Sequence, residues 1–493
     1  MTSPKLYFLF PVLLLSFFFY SCGTTTDTVE VARESPGTPE RPADDAEAED
    51  DDFRQISIGL IEPVTNFDPL FAQNLSTKQA LSLVYDGLFT VDEQGNPEPA
   101  IATDYSVSDN GLEYTITINR DLFYHDNAVF TAGVGRRIHA RDIKWAFERT
   151  AKIDVPRHAS ELLMNVRGFE NYYLEQHTVF DPDKRVLDGA YGIEVKNAST
   201  IQFTLYEQDP HFLKKLASSY LYIYPRESVE QARDGIPDVP VGTGAYEFNQ
   251  SVEDNRYILT RFEPNNNSRE LPSINRIDLH HSVSETDLFQ KFISEEIDYI
   301  PETGPGINNQ IATDSLELQE TYQNNFNFLV NDAQRITAFY MNRNRVIDRT
   351  WLLSTLKSVS ADDFSQLKNV TIRTDDFEES DTASPLEEYF VSFTDNPYAN
   401  SILSVLNSTY FQPDSELVFF DVRIPTRRTS IYTQSTDNIH YSWNPLSQNY
   451  WLRTDNDIVS IYHNHIEGIT ASTIPWKIFI HNIRVHEKEN SAE

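Results

Sequence analysis

The chain has 493 residues, more than one small core can organise, so two or three domains are expected. Its 40% hydrophobic and 12% aromatic content supplies sizeable cores, and most of the chain is expected to be globular. A formal net charge of −35 argues against nucleic acid and anionic lipid head groups as partners, and the single cysteine, Cys22, excludes an intramolecular disulfide and a thiolate metal cluster.

The first segment is an address. Residues 6–20, LYFLFPVLLLSFFFY, form an apolar run behind Lys5, short for a membrane span and suited to the apolar region of a signal peptide. The run ends in Ser-Cys-Gly, so Cys22 follows a small residue as in the cleavage box of bacterial lipoproteins, whose cysteine is acylated and becomes the mature N-terminus. Phe19 and Tyr20 depart from that box, and an ordinary secretory signal is the alternative. Residues 22–52 run through Thr, Pro and acid to ADDAEAEDDD and can fill no core; they read as a disordered tether.

From Phe53 onward the patterning becomes globular. RQISIGLI (54–61) reads as a strand stopped by Pro63. In 77–89, Ala80, Leu83, Val84 and Leu88 share one helical face. Asn110-Gly111 signals a type I′ turn ahead of alternating Tyr114, Ile116 and Ile118, a hairpin. Residues 140–152 read as a helix with Ile143, Ala146, Phe147 and Ala151 on one side, and 200–207 as a half-buried strand followed by a helix in DPHFLKKLASS. Strands are expected in 255–263 and 274–283, then a helix capped by Ser284 that leads into a strand near 300. Two further strands are expected in 416–424 and 476–485. Strands and helices mix throughout, which gives an α/β class.

Sites for chemistry are few. PVGTGAYEF (240–248) resembles a phosphate loop only in its glycines: it has no lysine and runs into a strand, so Gly242 and Gly244 are expected to permit positive φ or close backbone approach. There is no G-x-S-x-G, which weighs against a secreted hydrolase. His280 and His281 point to opposite faces of a strand, whereas His463 and His465 share one and form a weak candidate metal pair, against a plain reading as polar strand residues. Tyr441, Trp443, Tyr450 and Trp451 cluster with Asp437 and Arg453, either as a solute-binding surface or as lobe core.

Several phrases line up in order with one family. NFDPLFAQNLSTKQALSLVYDGLF, LFYHDNAVFTAGVGRRIHARDIKWAFERT, PVGTGAYEF and EIDYI resemble the large extracellular solute-binding proteins of dipeptide, oligopeptide and nickel ABC importers, family 5. The likeness is good over 55–300 and weak beyond; Ala245 stands where the family has proline and Glu296 where it has glycine. The resemblance implies a periplasmic-binding-protein-like (type II) α/β fold, with two lobes joined by a hinge and a subdomain inserted in the first. The first lobe would comprise 53–70, 190–275 and 466–487, the insert 71–189, and an abbreviated second lobe 276–465.

It also implies Asn66 and Asp68 at the first crossing into the cleft, against a turn-capping role, and Asp437, Tyr441 and Trp443 as ligand contacts. The turn Gly242, Thr243, Gly244, Tyr246 would lie at the lobe junction, and the His125-Asp126 pair would shape a turn. The implied function is capture of a small solute, a peptide above all, for an ABC importer. The protein would be a monomer without cofactor or enzymatic activity, held at the periplasmic or cell-surface face of a membrane through Cys22 and delivering to permease subunits. The alternative near the family is a degenerate member that senses or docks.

Overall fold

The structure, a computed structural model, describes residues 54–486 except 65, 73, 231–239, 253–255, 264–270, 283, 342–370, 374–419 and 424–449. For 250–252, 333–341, 371–373, 420–423 and 450–456 it describes the backbone alone. Cys22 and the tether lie outside the described residues, as do Asp437, Tyr441 and Trp443.

Nine strands form the main sheet. Gln55–Leu60 lies inside it, its Ile56, Ile58 and Leu60 buried. It pairs in parallel with Arg276–His281 on one side and with Tyr299–Ile300 on the other. Arg276–His281 continues through antiparallel Arg256–Arg261 to Tyr246–Val252. On the other flank Tyr299–Ile300 pairs with the end of a long strand, Tyr450–His463, which pairs along its length with Phe326–Met341. The strand Arg276–His281, at which the second lobe was expected to open, is thus hydrogen-bonded along its length to the first strand of the chain.

A four-stranded antiparallel sheet stands apart, in the order Ala102–Val107, Glu113–Ile118, Thr200–Thr204, Ile193–Asn197. Residues 193–204 therefore pair with the expected insert rather than with the main sheet. The helix Ala140–Arg149 covers this sheet with Ile143, Ala146 and Phe147, all buried. Burying one such large side chain contributes roughly 1.5–3 kcal/mol. Asp142 closes the helix start by accepting from the His139 amide at 2.9 Å.

Two local expectations change. The hairpin at Asn110-Gly111 forms, but only Gly111 has positive φ, 67°. Gly111 N donates to Ser108 O at 2.8 Å, and the Asn110 carboxamide accepts from Leu112 N at 3.1 Å, which holds a longer turn than type I′. Of the expected strand 476–485, only Arg484–Val485 pairs, with Ile466–Glu467. Trp476, Ile478 and Ile480 are buried in alternation and Ile483 out of step with it, but the segment lies against the helix Leu75–Val84. Ile478 N donates to Ser82 Oγ at 3.2 Å, and Gln79 Nε2 donates to Pro475 O at 2.8 Å, in place of a ladder.

Candidate functional site

Parallel strands give the main sheet a direction. Ligands of open α/β sheets bind beyond the carboxyl ends of the strands. Here that edge is formed by the residues after Leu60, His281 and Ile300. Glu62 and Glu302 stand there, both 2% exposed. Glu62 accepts from Leu75 N at 3.3 Å at the start of the helix Leu75–Val84, where an anion suits the helix dipole. Thr303 N donates to Val459 O at 2.8 Å, tying the edge to the long strand Tyr450–His463.

The two long strands run on past this edge. Phe326–Val330 pairs with Val459–His463 beside Tyr299–Ile300, within the main sheet. Gln334–Tyr340 pairs with Tyr450–Asp457 beyond it, flanked by Phe420–Arg423 and Thr371–Arg373. A two-stranded ladder thus leaves the first sheet and becomes the centre of a second set of strands drawn from residues 371–423. Sequence reasoning missed Phe326–Met341 and all of Tyr450–His463 but its end at His463: the polar NDAQR and RTDND stretches interrupt their apolar alternation.

Asp68 and Asn66 take structural positions. Asp68 is 1% exposed and caps the turn Pro69–Phe71 by accepting from Leu70 N at 3.1 Å. Both its oxygens also meet the Arg149 guanidinium, one at 2.9 Å, and Arg149 donates to the Tyr224 hydroxyl at 2.7 Å. Asn66 is exposed, and its side-chain oxygen accepts from Asp68 N at 2.7 Å. The capping alternative accounts for these contacts.

The glycine loop precedes Tyr246, which pairs with Arg261 at the level of Arg276 and Gln55. That is the amino edge of the sheet, opposite the edge from which the long strands depart. The turn contacts His125 and Val84, within the span expected for the insert, and leads into the main sheet. His125 Nε2 donates to Gly244 O at 2.9 Å, Gly242 N donates to His125 Nδ1 at 3.3 Å, and His125 N donates to Gly242 O at 2.9 Å. Gly244 N donates to Val84 O at 2.9 Å, completing the end of the helix Leu75–Val84. Neither glycine has positive φ; close approach is the reason for both, because a Cβ on Gly242 would stand 2.0 Å from Val84 O and one on Gly244 2.6 Å. Thr243 Oγ1 donates to Asp86 at 3.0 Å, and the Tyr246 hydroxyl to Ile274 O at 2.9 Å.

His463 ends its strand and His465 lies in the turn that follows; their rings stack 5.8 Å apart, but each is engaged. His463 stacks on Phe292 and its Nε2 donates to Phe292 O at 2.8 Å, while burial lowers its pKa. His465 Nε2 meets Asp298 Oδ1 at 3.0 Å. Among the described residues no group of three or more His, Cys, Asp or Glu gathers to hold a metal ion.

A cavity of about 360 Å³ opens at the amino edge, between Asp86, Glu98, Thr243, Phe262 and Lys477. Lys477 donates to Thr90 Oγ1 and Val91 O, both at 2.7 Å, and burial pulls its ammonium down to about 8. Its contacts fasten the C-terminal segment to the hairpin Phe89–Pro99.

Comparison with known proteins agrees with this architecture. Residues 96–353, just over half of the chain, match the family described as bacterial extracellular solute-binding proteins, family 5 Middle. The chain is 26% identical over 195 residues to the glutathione-binding protein GsiB of Salmonella choleraesuis, a match covering 40% of this chain and 32% of the relative. It is 25% identical over 200 residues to the dipeptide-binding protein DppE of Bacillus subtilis, covering 40% and 34%. The chain spans about a third of the length of these curated relatives. In fold it is similar to the PBP AgaA of A. tumefaciens R10, solved with agropinic acid (TM-score 0.61, 12% identity, 89% of this chain and 100% of that one). It is equally similar to the murein tripeptide binding protein MppA of Escherichia coli (TM-score 0.61, 12% identity, 88% and 99%). The chain has the α/β fold of the periplasmic binding proteins, and among its described residues no helix is long and apolar enough to cross a membrane. The chain belongs to the bacterial extracellular solute-binding proteins of family 5.

Proposed function

We propose that this chain captures a small peptide-like solute between two lobes and delivers it to the permease subunits of an ABC importer. The observation that carries this reading is the ladder of Phe326–Met341 with Tyr450–His463, which leaves the carboxyl edge of one set of strands and enters another. Two lobes linked by two strands rotate about them, and a solute touching both lobes only when they are shut shifts the population to the closed form. In this reading the first lobe extends to residue 330 and resumes at 458, the second occupies 334–457, and the insert takes in 193–204. The chain does no chemistry of its own. It is anchored through acylated Cys22 on the extracytoplasmic face of a membrane.

Glutathione, a panel of di- and tripeptides and the tetrapeptide Ser-Thr-Ser-Ala are suitable probes, since relatives and fold neighbours are named for such ligands. A bound probe at a hundred times its Kd adds ~2.7 kcal/mol to stability and raises the thermal midpoint. A midpoint that stays put with every probe overturns peptide capture and leaves the docking role.

A further inference from the structure

The long ladder is broken at one place between its two halves. Val330 pairs with Val459 and Gln334 with Asp457, so Asn331, Asp332 and Ala333 stand opposite Ile458 alone. Such a bulge bends its strand and interrupts pairing. The near half is fixed by the main sheet and the far half by other strands, so the bulge is where one set of strands ends and the next begins.

One side chain grips this break. Asn331 Nδ2 donates to Ile458 O at 3.2 Å and to Ser460 Oγ at 2.8 Å, and Asn331 Oδ1 accepts from Ser472 N at 3.2 Å. Ser460 Oγ in turn donates to Pro301 O at 2.8 Å, at the carboxyl edge. A single carboxamide therefore ties the bulged strand to its partner strand and to the C-terminal segment. None of its partners belongs to the far half: Ile458 faces the bulge, Ser460 lies in the near half and Ser472 in the C-terminal segment. A cavity of about 30 Å³, enough for one water molecule, adjoins it, lined by Asn331, Ser460, Pro301 and Ser472.

We propose that Asn331 is the positioning residue of the hinge: it holds the bulge against the first lobe and so sets the resting angle at which the second lobe stands. This rests on the two-lobed reading above. Rotation of the far half requires the backbone of 331–333 and 457–458 to change φ and ψ, because the ladder pairs residue for residue from Phe326 to Val330 on one side and from Gln334 to Phe339 on the other. The carboxamide fixes one end of that short segment and leaves the other free to turn.

The test needs no solute. Spin labels at Glu296→Cys, exposed in the first lobe, and at Asp421→Cys, on the strand Phe420–Arg423 that pairs with the far half of the ladder, are placed in the full-length chain carrying Cys22→Ser. Their distance distribution is measured by double electron–electron resonance. The chain with Asn331 intact gives one narrow distance. Asn331→Ala, which loses all three bonds, adds a second distance and changes the ratio of the two populations by about tenfold. Asn331→Asp keeps the acceptor for Ser472 N, loses both donors, and shifts the distribution the same way by less. Asn249→Ala removes a 2.6 Å bond to Thr260 in the same sheet, far from the bulge, and leaves the distribution unchanged. A distribution for Asn331→Ala that superimposes on the parent overturns the proposal, as does an equal shift in Asn249→Ala. Should Asn331→Ala fail to fold, Asn331→Asp decides alone. Failure of peptide capture shows instead in the thermal midpoints, which this measurement does not use.

Discussion

His125 Nε2 donates to Gly244 O at 2.9 Å while its Nδ1 accepts from Gly242 N at 3.3 Å, so one neutral imidazole spans the glycine loop. The two residues lie 119 positions apart in the chain. The contact joins the turn His125-Asp126 to the loop that opens the strand Tyr246–Val252, and Asp126 secures its own side by accepting from Gly135 N at 2.8 Å. A protonated ring has no lone pair for Gly242, and the site is closed to water. Burial accordingly pulls the His125 pKa down to about 4.

That shift makes stability depend on pH. The unfolded chain takes up the proton near pH 6.5 and the folded one only near 4. Between those values the unfolded state holds more protons, so stability falls as the pH is lowered through this window and is fully present above it. The gap of 6.5 less 4 corresponds to roughly 3 kcal/mol. In urea titrations at pH 7 and pH 4, the native chain is expected to lose about that much more than His125→Gln does. Equal losses would assign the acid sensitivity to other groups.

The glycine loop makes a second prediction, because its glycines serve contact rather than φ. Gly242→Ala puts a methyl group 2.0 Å from Val84 O, a backbone atom that moves only if the end of the helix Leu75–Val84 moves. A loss of about 3 kcal/mol is expected. Gly133 has φ 75° but nothing within 4 Å of its missing Cβ, so Gly133→Ala should lose about 1 kcal/mol through backbone conformation alone. If the two variants unfold at the same urea concentration, close approach is not what Gly242 is for.

The contrast shows where sequence was legible. Local alternation located Gln55–Leu60, Thr200–Thr204 and Arg276–His281, and helical spacing located Ala140–Arg149, because each buries one face against its own neighbours. The edge at which the glycine loop would stand was not legible: it follows from pairing Tyr246 with Arg261 and Gln55 with Arg276, which are long-range registers. Trp476–Ile483 shows the same limit, since burial alternates only from Trp476 to Ile480 and helix Leu75–Val84 met the segment instead of a strand. Asn331 was invisible for a related reason: a polar residue inside NDAQR reads as loop until its partner strand is known. Asp68 left two roles open, and the contact that bears on them, with Arg149 81 residues away, is long-range.

Asp68 and Arg149 supply the third prediction. Their side chains are 1% and 4% exposed, so each charge depends on the other. Removing one partner leaves a buried charge without compensation, and Asp68→Ala or Arg149→Met is expected to cost about 3–5 kcal/mol. The double variant should cost less than the sum, since it strands no charge. A solute-binding Asp68 would behave otherwise: probe affinity would fall while the urea midpoint stayed near that of the parent.

The membrane anchor is tested at Cys22. Acyl chains hold a protein at a bilayer by ~0.8 kcal/mol per buried CH₂, and one chain alone binds only marginally, so stable attachment needs several. The native chain is therefore expected to begin at Cys22 in its mature form, to carry the mass of its acyl groups there, and to sediment with membranes. Cys22→Ala removes the thiol that would be acylated. It should be recovered in the soluble fraction where the signal is cleaved elsewhere, or with residues 6–20 still attached where it is not. Mass spectrometry of the N-terminal peptide separates those two outcomes. A native chain that begins at another residue and carries no acyl mass would return the segment to an ordinary secretory signal, leaving the proposal of solute capture untouched.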